Sequence, residues 1–199
     1  MMKNMLIRLI GLGAILFALA GCTAMTAQNP SGSLKPVNAV ADGEDSGVML
    51  KGADVVAYFT QNQYVQGSPQ FKSNYQGVTF RFSSAANKAL FDQAPMKYQP
   101  QYGGYCADGL VYGIPWGGDA DTWRMVNGKL YIFGGAGSRD AWLLDEPRNI
   151  GLADKYWKEE VEGSNSFWQR SKRLVFKVPH YKSGGELAAL VSEAKAKKP

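Results

Sequence analysis

The sequence has few of the side chains on which disulfides, zinc sites and nucleophilic catalysis depend. Its 199 residues include two cysteines and a single histidine, His180. A structural zinc ion takes four protein ligands and a catalytic one takes three, mostly from cysteine and histidine. A catalytic thiol needs a base or a positive neighbour to become a thiolate. The sequence therefore predicts no zinc centre and no catalytic residues, and it places His180 in an exposed loop.

Strongly basic segments and long apolar runs are also scarce. The net charge is +5, and the basic residues are dispersed except for Lys195, Lys197 and Lys198. Because no basic, aromatic-rich motif accompanies them, no nucleic-acid partner is expected. The apolar stretch at residues 9–20 is twelve residues long. As a helix it would rise about 18 Å, short of the ~30 Å hydrocarbon core of a bilayer, so it does not predict a permanent membrane span.

The same stretch has the plan of a secretory signal peptide, because basic and no acidic residues precede it. It ends in Leu19-Ala20-Gly21-Cys22, which resembles the lipobox of bacterial lipoproteins. The resemblance implies cleavage after Gly21 and acylation of Cys22, which would hold the protein on the periplasmic face of the cell envelope. Thr23, in place of Asp, implies sorting to the outer membrane where two membranes exist. The alternative is an ordinary secretory signal with an incidental cysteine.

The chain divides into four segments. Residues 1–21 are the predicted signal peptide. Residues 22–46 are small and polar without periodicity, and they predict a flexible tether. Residues 47–160 are rich in aromatics and suit a globular domain with one core. Residues 161–199 are interpreted as a C-terminal extension that ends in a short amphipathic helix.

The predicted fold class is α+β, with a small antiparallel sheet of short strands and hairpins packed with flanking helices. Gln76-Gly77 and Asn127-Gly128 predict two hairpin turns. Ser83 or Ser84 is expected to cap a helix. Further short strands are predicted at residues 63–67 and 174–178. The expected inward residues of the capped helix are Ala86, Ala89 and Leu90, and those of the C-terminal helix are Leu187, Leu190, Val191 and Ala194.

Over about residues 47–160, the sequence resembles the YHS domain family in the order of its aromatic, glycine and serine residues. The matching segments are residues 55–59, 67–91, 95–109 and 123–133. Related modules bind soft metals through a Phe-Cys-Ser-x-x-Cys segment. Here Ser83 and Asn87 stand at the positions of those cysteines. Neither is a good soft-metal ligand, so the resemblance does not carry a metal site over to this chain.

Cys106 is the residue most open to unusual chemistry. If Cys22 is acylated, Cys106 is a lone thiol in an oxidising compartment, so it should be buried, liganded or reactive. An inert core cysteine is the first interpretation, because free cysteines are among the most buried residues. A ligand or metal contact is the second. The candidate residues for that contact are Cys106, Tyr102, Tyr105, Asp108, Met96 and Met125.

Three functional hypotheses follow. The first is a non-enzymatic envelope module that binds a small ligand or a soft metal ion such as copper, with no cofactor required by the sequence. The alternative is a structural or interaction module that docks an envelope protein. A thiol-based enzyme is the third. A deep pocket at Cys106 would favour the first hypothesis, and a flat exposed aromatic patch would favour the second.

Overall fold

The computed structural model describes residues 38–197. The predicted signal peptide, Cys22 and the first part of the predicted tether therefore lie outside the described residues. The strands are β1 Ala39–Asp42, β2 Asp45–Met49, β3 Ser68–Tyr75, β4 Val78–Phe82, β5 Asp119–Val126 and β6 Lys129–Phe133. The helices are α1 Ala57–Thr60, α2 Ala85–Gln93, α3 Pro95–Tyr98, α4 Ala107–Leu110, α5 Ala136–Trp142, α6 Glu146–Tyr156, α7 Ser166–Val175 and α8 Gly184–Ala196.

The first four strands form one sheet in the order β1-β2-β4-β3, and β5 and β6 form a separate hairpin. The α+β class is confirmed. The sheet is not purely antiparallel, because β2 runs parallel to β4, with Val48 opposite Thr79. Residues 38–46, predicted to be tether, supply β1 and the start of β2. The tether prediction is therefore wrong for those residues.

Both predicted hairpin turns are confirmed. Gln76 and Gly77 have φ angles of 51° and 79°, and Asn127 and Gly128 have 50° and 73°. Two consecutive positive φ angles match the twist of the strands they join. The predicted strand at residues 63–67 is wrong, because that segment contributes an isolated bridge at Gln66 and β3 begins only at Ser68.

Helix α2 begins as predicted but buries a different face. The Ser84 hydroxyl accepts a hydrogen bond from the Asn87 backbone N–H at 3.1 Å. Asn87 and Phe91 face inward, whereas Ala86, Ala89 and Leu90 are exposed. The inward face is fixed by tertiary partners, since Phe91 packs on the rings of Phe80 and Phe82 and Asn87 bonds a buried carboxylate.

Strand β6 joins two apolar clusters. Leu130 and Ile132 belong to the cluster between the four-stranded sheet and its helices. Tyr131 and Phe133 belong to a second cluster, with Cys106, Trp142 and the helices that follow. Successive side chains of a strand point to opposite faces, so one short strand serves both clusters.

The C-terminal extension packs on the second cluster. The predicted strand at residues 174–178 is wrong, because helix α7 continues to Val175 and residues 176–178 form no strand. Helix α7 is capped by Asn165, whose side chain accepts from Phe167 N at 2.9 Å. The predicted C-terminal helix is α8, with a capping box between Ser183 and Glu186. No helix within residues 38–197 is long and apolar enough to cross a membrane.

Candidate ligand-binding cleft

Cys106 lies immediately before α4, where its backbone is held on both sides. Its N–H donates to Trp116 O at 2.9 Å, and its carbonyl accepts from Leu110 N at 3.2 Å. The side chain is buried, and its Sγ lies 3.6 Å from the Ser138 hydroxyl oxygen on α5. Burial raises the pKa of the Cys106 thiol, although hydrogen bonds to the backbones of Gly109 and Gly134 oppose that rise. The thiol is therefore protonated at neutral pH and is a poor nucleophile.

Asp108, in the first turn of α4, is the most unusual ionisable group near this thiol. It is 7% exposed, and within residues 38–197 neither a hydrogen bond nor a charged neighbour contributes to its pKa shift. Burial raises the pKa of Asp108 from 3.8 to about 7. A carboxyl group that is buried without a partner costs free energy, and such groups cluster at functional sites.

A cleft opens at Asp108. A cavity of about 580 Å³ lies between α5 and α8, and a second cavity of about 300 Å³ extends to Cys106 and α7. Asp108, Ser138 and Leu187 line both cavities, so the two cavities adjoin at these residues, and we call the pair the cleft. The extension thus supplies a wall of the cleft, which the sequence did not predict.

The walls of the larger cavity are mainly apolar and its rim is charged. Ala141 of α5 faces Leu187 and Val191 of α8. At the rim, Lys195 Nζ lies 2.6 Å from Asp140 Oδ2, and this partner lowers the pKa of Asp140. Asp108 is therefore the one carboxyl group of the cavity lining without a cationic partner in the described part of the chain.

The other predicted site residues lie elsewhere. Tyr102 is buried in the second cluster, and its hydroxyl donates to Asp154 Oδ1 at 2.8 Å. Tyr105 is fully buried in that cluster as well. Met96 is exposed on α3, and Met125 packs on the first cluster. None of these four side chains lines either cavity of the cleft, so the structure brings together Cys106 and Asp108 alone from the predicted set.

The positions compared above with metal-binding cysteines serve a different purpose. Ser83 and Asn87 both donate to Oδ2 of Asp54, at 2.7 Å from the Ser83 hydroxyl and 2.7 Å from the Asn87 amide. The backbone N–H of Ser83 adds a third donor at 2.8 Å, and Val56 N donates to Oδ1 at 3.0 Å. Because both side chains donate hydrogen bonds to the buried Asp54 carboxylate, the segment does not fit a soft-metal site. No cluster of three or more His, Cys, Asp or Glu side chains suited to a metal occurs within residues 38–197.

Ser83 and Asn87 lie within a segment that is similar to a known family, and Asp54 lies just before it. Residues 56–102 match the model of the YHS domain. The YHS match covers α1 through α3 and ends at Tyr102, before Cys106 and Asp108. The cleft therefore lies outside the YHS match, in the part of the chain that follows it. No curated protein and no solved structure matches the chain.

His180 also lies beyond the YHS match, and it is not the exposed loop residue that was predicted. It is half-buried, its Nε2 lies 2.9 Å from Val111 O, and its ring stacks on Tyr112 at 5.8 Å between centroids. These contacts fix the connection between α7 and α8 against the second cluster.

Proposed function

We propose that this protein is a lipid-anchored, extracytoplasmic binding module without enzymatic activity. Its cleft would take a small, largely apolar molecule that carries a hydrogen-bond donor. The observation that carries the proposal is Asp108, a carboxyl group that is buried and unpaired among the described residues at the meeting point of two cavities.

The energetics of Asp108 favour a ligand. A carboxylate buried without a partner is costly, and a ligand that donates a hydrogen bond or a positive charge to it would recover part of that cost. The cavity of about 580 Å³ is within the range of small-molecule sites. Its apolar walls suit an aliphatic or aromatic body, with the donor group pointing towards Asp108.

The thiol and hydroxyl beside Asp108 support binding rather than catalysis. Cys106 is protonated because burial raises its pKa, and a thiolate is the form that attacks or binds soft metals. Ser138 donates its hydroxyl hydrogen to Gly135 O at 2.9 Å, which occupies its one proton. A metal ion held by Cys106 and Asp108 is the other occupant that the test below must exclude.

Ligands that differ only in their head group test the cleft. At pH 8 hexylamine should raise the melting temperature most, hexanol less, and hexanoate least, because a second carboxylate would face Asp108. A ligand at ten times its Kd adds about 1.4 kcal/mol, or about 3–6 °C for a domain of this size. Thermal unfolding followed by circular dichroism gives the measurement.

Matched variants locate the binding. Asp108→Asn should remove the preference for hexylamine, whereas Asp92→Asn, which alters a surface carboxylate paired with Lys88, should retain it. Equal shifts of the melting temperature by hexylamine in both variants would show that the amine binds away from Asp108.

Elemental analysis of protein purified without chelator tests whether the occupant is a metal ion. Stoichiometric copper or zinc that is lost in Cys106→Ser would make a metal ion the occupant.

The anchor has its own test. Cys22→Ser should leave an unacylated precursor or a differently processed chain, because the sulfur that would carry the diacylglycerol is gone. Durable anchoring requires two or more acyl chains, so a chain cleaved at another position should leave the detergent phase. An uncleaved precursor keeps the apolar residues 9–20 and should stay in it without an acyl group. Mass analysis of the N-terminal peptide provides the control. An unmodified, fully soluble wild-type protein would contradict the anchor.

A further inference from the structure

Helix α7 faces the protein with its polar side. Gln169 and Arg170 are each 5% exposed. The Gln169 amide donates to Gly113 O at 2.9 Å, and Arg170 Nε donates to Pro115 O at 2.7 Å. Arg173 on the same side pairs with Glu160. A surface helix of a globular protein normally buries its apolar stripe, so α7 is reversed.

The apolar side chains of this segment point outward. Trp168 is 69% exposed, Leu174 61%, Val175 73% and Phe176 68%. We call these four residues the α7 patch. No other stretch of residues 38–197 this short carries four large apolar side chains so exposed. Exposed apolar groups that are clustered in this way mark a surface that binds a partner.

The chain segment that carries the α7 patch is basic. Residues 163–185 contain five basic residues and no acidic one. Lys172, Lys177 and Lys182 among them are exposed. Lys172 Nζ pairs with Glu160 Oε2 at 3.0 Å, so Lys177 and Lys182 are the lysines that remain for an anionic surface. A tryptophan with aliphatic neighbours and flanking lysines is the composition of helices that lie in the interface of a bilayer, where the lysines contact anionic headgroups.

We infer that the α7 patch docks the domain onto an anionic phospholipid bilayer, the apolar side chains entering the interface and the lysines contacting the headgroups. The inference rests on the proposed anchor at Cys22. Fifteen residues lie between Cys22 and Asn38, and a fully extended chain of that length spans at most about 55 Å. The anchor would keep the domain near the bilayer, and the α7 patch would select the face that meets it.

Docking in this orientation has a consequence for the cleft. The α7 patch borders the smaller cavity. Leu174 of the patch lines that cavity, together with Arg173 and Lys177 beside the patch. The mouth of that cavity would therefore lie at the level of the headgroups. An apolar ligand could then pass between the bilayer and the cleft without crossing water.

Brominated lipids test the contact, because bromine quenches tryptophan only at close range. The processed, acylated protein is reconstituted into vesicles of phosphatidylcholine and phosphatidylglycerol at seven to three, with or without bromine on the acyl chains. We expect quenching in the wild type, its loss in Trp168→Phe, and weaker quenching in vesicles of phosphatidylcholine alone.

Two further variants separate docking from anchoring. Val175→Ser with Phe176→Ser keeps Trp168 but should lose most of the quenching, whereas Met96→Ser, at an exposed apolar residue on α3, should keep it. Flotation with the vesicles should be the same in all of these proteins.

Flotation of the wild type without quenching would overturn the inference and assign the α7 patch to a protein partner. Loss of flotation in the wild type would refute the anchor instead; docking then still predicts quenching when the protein is added to preformed vesicles.

Discussion

Asp108→Asn should remove a pH dependence of stability that the wild type shows between about pH 4 and pH 8. The pKa of Asp108 is about 7 in the folded protein, against 3.8 for an ordinary aspartate. In this window the folded state holds a proton that the unfolded state has released, so the stability of the wild type falls as pH rises. Three pKa units correspond to about 4 kcal/mol, fully lost once the pH exceeds the folded pKa.

Urea unfolding at pH 5 and pH 8 measures this effect. The drop in free energy of unfolding between the two pH values should be smaller in Asp108→Asn than in the wild type by about 3 kcal/mol, because other groups titrate alike in both proteins. Asp92→Asn is the control and should keep the wild-type drop. An identical drop in Asp108→Asn and the wild type would show that the Asp108 carboxyl ionises as it does in water, and the cleft would lose its distinguishing group.

Asp54→Ala should destabilise the fold more than any other single change at a polar residue considered above. Asp54 is fully buried. It accepts from the backbone N–H groups of Val56, Ala57 and Ser83 and from the side chains of Ser83 and Asn87. Alanine leaves these donors without an acceptor, at about 1–3 kcal/mol for each buried donor that finds no other partner. A total of about 4 kcal/mol or more is a large part of the stability of a domain.

The comparison variants are Ser83→Ala and Asp119→Ala. Ser83→Ala removes one of the donors and should cost about 1 kcal/mol. Asp119 is exposed at the start of β5, and its replacement should stay within about 0.5 kcal/mol of the wild type. Urea midpoints at pH 7 rank the three variants. A midpoint for Asp54→Ala close to that of Asp119→Ala would show that the network contributes little.

Local sequence signals predicted the parts of the fold that depend on neighbouring residues. Asn127-Gly128 tolerates positive φ at both turn positions, and Ser84 supplies a cap, so the hairpin and the start of α2 follow from a few residues. The strand at residues 174–178 failed because a short apolar run fits either a strand or a helix. The acceptors at Gly113 and Pro115, which favour the helix, are more than 50 residues away.

The candidate site divides in the same way. Cys106 and Asp108 are two residues apart and could be paired from the sequence. Ser138 and Leu187 come from α5 and α8, and only the packing of the extension brings them to Asp108. Tyr102 was predicted for the site because it is close to Cys106 in the chain. Its backbone has a positive φ of 55°, and its ring packs inside the second cluster.

Neighbouring residues of strand β6 are constrained by different apolar clusters. Leu130 and Ile132 must fit the cluster that contains most of the buried apolar residues of the YHS match. Tyr131 and Phe133 must fit the cluster that supports the cleft. A fragment that ends with the match at Tyr102 would lack the first pair and leave a gap in its own interior. The limits of the sequence similarity are therefore not the limits of a part that could be exchanged between proteins. Any recombination that preserves both halves has to carry β6 with each of them.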